Sequence, residues 1–79
     1  MALSVSERQA KLATLAESEG YADPDALIEA TVHDSVSPGI CSRPGCSYTT
    51  EVEPDQRRGW CEVCGAGTVQ SALVLAALI

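Results

Sequence analysis

Phenylalanine is absent from this chain, and Tyr21, Tyr48 and Trp60 are its only aromatic residues, so a core must be built from Leu, Val, Ile and Ala. Histidine occurs once, at His33. A single imidazole among scattered acids offers no Ser/His/Asp arrangement, and the expectation is that the chain is not an enzyme. Basic residues are scarce too: five Lys and Arg stand against eleven Asp and Glu, a formal net charge of −6. A general polyanion binder needs the opposite balance. The apolar tail of residues 72–79 is too short by half to cross a bilayer, so no membrane span is expected. Residues 1–20 lack a basic segment followed by an apolar one, which argues against a secretory leader and for a cytoplasmic setting.

What the chain does have is four cysteines, Cys41, Cys46, Cys61 and Cys64, in two close pairs fourteen residues apart. This spacing reads as one tetrahedral metal site holding one zinc ion per chain. A Cys-x-x-Cys pair puts two thiolates on one tight turn, and a second pair brought in by a hairpin completes the shell. The first pair is looser, but the Pro44-Gly45 step supplies the bend that returns Cys46 toward Cys41. Gly65, directly after Cys64, is expected at positive φ, turning backbone amides toward the sulfurs. Two disulfides would suit a secreted domain, and a redox dithiol at Cys61 and Cys64 would leave Cys41 and Cys46 unexplained. Iron fits the same four-thiolate geometry and is the minor alternative. At 79 residues the chain is one domain, and a core of this size is marginal without such a staple.

Residues 1–38 read as a helical hairpin and residues 39–79 as the metal-binding half. Ser6-Glu7-Arg8-Gln9 has the form of a capping box, opening a helix that runs to Gly20 with Leu12, Leu15 and Ala16 on its apolar stripe and Lys11 among its water-facing residues. Asp23-Pro24 starts a second helix, with Leu27, Ile28, Thr31 and Val32 facing the core. His33 reads as a polar residue near the end of that helix rather than as a ligand. The stretch Ser35-Val36-Ser37-Pro38-Gly39 ends it. Tyr48, Thr50 and Val52 alternate with Thr49, Glu51 and Glu53 as in a half-wet strand, and Pro54-Asp55 turns the chain. Trp60 is expected to cover the metal site with its indole ring. The tail favours a helix capped by Thr68, although Gly67, Val69 and Val74 would suit a strand. It must be covered by the helical hairpin or by a second copy of the chain, a homodimer through the segment from Ala72 to Ile79.

The run from Asp34 to Cys41, the segment from Tyr48 to Gln56, and the ending from Trp60 to Gly65 and on through Ser71 to Leu75 resemble a group of small uncharacterised bacterial and phage proteins. These carry a zinc-ribbon-like four-cysteine half. The resemblance covers roughly residues 12–79 and implies a fold and a metal but no activity. The cysteine knuckles are also similar to those of zinc ribbons in general, with a first gap of four residues where many ribbons have two. The expected fold class is therefore α+β: a small zinc-ribbon-like, rubredoxin-like metal-bound hairpin with an N-terminal helical hairpin and an apolar C-terminal helix or strand.

Function is expected to be that of a zinc-stabilised interaction module with an unidentified protein partner. The alternative is a nucleic-acid-binding accessory or regulatory protein using Arg43, Arg57, Arg58 and Trp60, a cation and stacking set near one hairpin. The net charge disfavours it. A second helix with Asp25, Glu29 and Asp34 and no basic residue is poor chemistry for a DNA groove.

Overall fold

A computed structural model describes residues 3–78. Among these the chain order is α1 (Val5–Ser18), α2 (Pro24–Thr31), β1 (Ser37–Cys41), β2 (Thr49–Val52), β3 (Gly59–Cys61), β4 (Ala66–Ser71) and the single-turn α3 (Ala72–Leu75). The strands form one curled antiparallel sheet in the order β2-β1-β4-β3. The fold is a small α+β arrangement in which the three helices share one aliphatic cluster with Ile40 of β1.

The capping box that opens α1 is built by Ser4 and Glu7, two residues before the expected start at Ser6. The Glu7 amide donates to Ser4 Oγ at 3.2 Å and the Ser4 amide donates to Glu7 Oε1 at 3.0 Å. A carboxylate at this position accepts more strongly than the Gln9 amide would, and its charge complements the positive end of the helix. The Ser4 amide, and after it the Ser4 hydroxyl, hold the Glu7 carboxyl below its usual range. At the other end, the Gly20 and Tyr21 amides donate to the carbonyls of Glu17 and Ala16, so the chain leaves the helix at Gly20 as its sequence implies. Asp23 caps α2 through the Ala26 amide at 2.8 Å, with Pro24 at the first turn. Leu27 and Thr31 are buried on α2, whereas Val32, expected inside, lies past the last helical residue and is exposed.

Strand β1 runs through Ser37-Pro38-Gly39, a stretch whose composition reads as a loop. Two facts explain it. Pairing with β4 begins at Gly39, so Pro38 sits where β1 has only β2 beside it and its missing N–H removes no β4 bond. Gly39 is required by packing, because a Cβ there would stand 2.8 Å from Val52 Cγ2 and 2.9 Å from Val69 Cγ1. The tail is strand and helix in succession: β4 carries residues 66–71, and Ser71, not Thr68, caps α3. Ser71 is fully buried, its hydroxyl donating to the Pro54 carbonyl at 2.5 Å and accepting from the Val74 amide at 3.1 Å.

Strand alternation on β1 divides the interior in two. Ile40 enters an aliphatic cluster with Leu12, Leu15, Ala16, Leu27, Ala72 and Leu75. Its neighbour Cys41 points the other way, into a second cluster with Cys61 and Val69. Residues 72–75 are buried within the chain, so the apolar tail is covered intramolecularly; Leu78 beyond them is exposed, and Ile79 lies outside the described residues.

Candidate metal centre

Each cysteine pair is placed by a short turn. In the first, Cys41 ends β1, the Cys41 amide donates to the Tyr48 carbonyl at 2.9 Å, and the Cys46 amide donates back to the Arg43 carbonyl at 3.2 Å. In the second, Cys61 ends β3, and the Cys64 amide donates to Cys61 Sγ at 3.3 Å while the Gly65 amide donates to the Cys61 carbonyl at 2.8 Å. Gly45 and Gly65 take positive φ, +80° and +66°, the left-handed backbone these turns need and side chains resist. Both glycines sit where the sequence placed the bends.

The four sulfurs converge from the turns that follow β1 and β3, the two strands flanking β4, all within 4.8 Å of one another. Cys41 Sγ lies 3.8 Å from Cys64 Sγ, and Cys46 Sγ lies 3.8 Å from Cys61 Sγ, so both of these contacts cross between the two turns. A tetrahedron of thiolates about 2.3 Å from a central ion has edges of about 3.8 Å. The residues present therefore fit a tetrahedral ion, and these four cysteines could hold a metal. All four are free thiols. Separations of 3.8 Å are far longer than the ~2 Å of a sulfur–sulfur bond.

Two elements of the surroundings were not evident in the sequence. Thr68 Oγ1 lies 3.1 Å from Cys41 Sγ, and the Thr68 carbonyl accepts from the Ser42 amide at 2.8 Å, so β4 braces the first turn twice. Lys11, expected to stand in water, instead crosses from α1 and donates to the carbonyls of Arg43 and Cys46 at 2.6 and 2.5 Å. An ammonium close to the site offsets some negative charge and ties the helical layer to the first turn. The only advance signal for either was spacing: Thr68 lies seven residues after Cys61, and Lys11 lies near one end of the α1 stripe.

Burial works against ionisation of Cys41, but hydrogen bonds from the Thr68 hydroxyl, the Arg43 amide and the neighbouring thiols bring it down to about 7. Cys64 goes the other way, pushed up to about 12 by burial and by the three adjacent sulfurs. One thiolate thus forms readily and the next is opposed by it. A cation removes that opposition, so metal uptake must release protons.

Trp60 does not cover the centre. On β3 it points away from Gly59 and Cys61, 62 % exposed, and lines a surface groove with Glu51, Glu53 and Glu62. Tyr48 and Val52 pack against the sulfur cluster instead. The cause is alternation: with Cys61 inward, the residue before it must face out. His33 is exposed in the turn after α2 and lies outside the cysteine group. Among the described residues no helix is long and apolar enough to cross a membrane. Comparison with protein-family models, curated proteins and solved structures found no match to this chain.

Proposed function

We propose that the chain is a zinc-stabilised binding module in which Cys41, Cys46, Cys61 and Cys64 hold one zinc ion in a zinc-ribbon-like shell. The observation that carries this reading is the crossed four-sulfur cluster, with two separations at the edge length of a zinc tetrathiolate. Four thiolates fill the shell, so the ion would organise the fold and would have no open position for water or substrate. The role is therefore non-catalytic. Free thiols at all four positions suit a reducing, cytoplasmic setting.

The partner surface of such a module lies away from the tail, because residues 72–75 are already buried in the chain's own core. Homodimer formation through that segment is correspondingly disfavoured. Trp60 and Val63, at 62 % and 73 % exposure, flank Cys61 and are the large apolar residues exposed beside the cysteine cluster for a protein partner. The nucleic-acid alternative loses its stacking residue, since Trp60 lines an acidic groove.

Cobalt(II) loading tests the closed shell. The expected spectrum is that of a tetrahedral tetrathiolate, unchanged by added azide or cyanide. A spectrum that shifts with those ligands would mean an open position and would overturn the non-catalytic reading. Iron in place of zinc would declare itself as a red-brown protein.

A further inference from the structure

All four arginines of this acidic chain line a single cleft of about 560 Å³. They reach it from separate parts of the sequence. Arg8 comes from α1, Arg43 from the first cysteine turn, and Arg57 and Arg58 from the link between β2 and β3. Arg43, Arg57 and Arg58 are exposed and Arg8 is half-buried. Among the described residues the one acid in the lining is Glu7, whose carboxylate is engaged in the α1 capping box. Ser42, Thr68 and Gln70 add hydroxyl and amide groups.

Four guanidinium groups around one concavity repel one another. Among the described residues the lining brings four cations and one acid together, so the cleft favours an anion. Guanidinium donors have the planar fork that matches phosphate oxygens, and hydroxyls complete such a shell. The cleft is of small-molecule size. No basic track leads away from it, since Lys11, the one remaining cation, is committed to backbone carbonyls. Among the described residues no aromatic ring lines it on which a base could stack.

We infer that this cleft binds a compact polyphosphate group, such as that of a nucleoside di- or triphosphate, rather than a long nucleic acid. The inference deepens the binding-module reading and rests on it for the metal-held turn that presents Arg43. It also gives Thr68 a place in two sites, since its hydroxyl touches Cys41 and its side of β4 lines the cleft. The competing explanation is that the arginines only balance the charge of a metal tetrathiolate.

The test is calorimetric and NMR titration of the metal-loaded full chain with sodium tripolyphosphate at low salt. Metal content is measured before and after by elemental analysis. Expected are saturable 1:1 binding and amide shifts at Ser42, Arg43, Arg57, Arg58 and Thr68. Arg43→Gln and Arg57→Gln should each weaken binding about ten-fold or more with metal content unchanged, while Trp60→Ala should leave it unaltered. No saturable binding by metal-loaded protein overturns the inference, as does equal binding by the arginine variants. Loss of metal in those variants, with no tripolyphosphate binding by the parent, assigns the arginines to charge balance. Tighter binding of a single-stranded oligonucleotide or an oligoglutamate peptide than of tripolyphosphate also overturns it, in favour of a polymer or generic charge. Protein purified without any metal would instead sink the binding-module reading.

Discussion

The two interiors of this molecule are held by different physics. Leu12, Leu15, Ala16, Leu27, Ile40, Ala72 and Leu75 form an aliphatic cluster in which α1, α2, α3 and β1 all take part. On the other side of β1, Cys41, Cys61 and Val69 are the fully buried core, with Cys46, Cys64, Tyr48 and Val52 packed around them. The first cluster draws on apolar burial, at about 25 cal/mol per Å² removed from water. The second has less hydrocarbon and four ionisable thiols besides, so on the proposed reading it depends on a cation. The lesson is that Ile40 and Cys41, adjacent on one strand, join an aliphatic core to one that, on the proposed reading, is conditional on metal.

Removing a sulfur breaks the conditional core and should have the largest effect. Cys61→Ser is expected to abolish tetrahedral metal binding and with it coupled folding free energy on the order of 10 kcal/mol, read as collapse of amide dispersion for residues 39–71 in NMR spectra. A variant that keeps native dispersion there without metal would show that the sulfur core stands unaided. Leu15→Ala, fully buried at the centre of the aliphatic cluster, should cost about 2–5 kcal/mol in denaturant unfolding. Its metal affinity, measured below the unfolding midpoint, should stay close to that of the parent.

Thr68→Val sharpens the contrast at the boundary. Without the hydroxyl, metal affinity should fall about 10- to 100-fold. The sign of the pH effect follows from Cys41, whose thiol Thr68 helps to bring down to about 7. Metal competes with protons for the sulfurs, so a thiol that rises on losing Thr68 should let metal go at a higher pH as the solution is acidified. Competition with a chromogenic chelator across pH would read this, and an unmoved release midpoint would remove Thr68 from the site.

The smallest change lies at the end of the aliphatic side. Ala77 takes φ +61°, closing α3 with the Leu78 amide on the Leu73 carbonyl at 3.0 Å. A side chain there costs about 1 kcal/mol, so Ala77→Gly should stabilise the protein by roughly that amount in thermal unfolding. A destabilised variant would mean the methyl group packs usefully.

The legible parts of the fold were those governed by short-range chemistry. Asp23 acts through its own carboxylate and Pro24, Gly20, Gly45 and Gly65 through their own backbone, and each sits at the turn or cap its sequence implies. The cysteine spacing likewise brought together the four residues that the structure clusters. Less legible was whatever required a partner distant in sequence. Pro38 and Gly39 belong to a strand because β2 and β4 close around them. Lys11 leaves water only because the first cysteine turn, more than thirty residues away, presents two carbonyls to it. Trp60 was misplaced for the opposite reason: its hydrophobicity suggested burial, while the inward direction of Cys61 settled which face it took. The arginine cleft was legible in part, since the sequence grouped Arg43, Arg57 and Arg58, but it added Trp60, which lies elsewhere, and missed Arg8, which joins them only in three dimensions.

Native mass spectrometry of protein purified under reducing conditions tests most directly whether the four sulfurs share an ion. One zinc ion per chain, displacing protons from the thiols, is the predicted mass. A metal-free chain lighter by four protons would mean two disulfides and contradict the metal-held core outright.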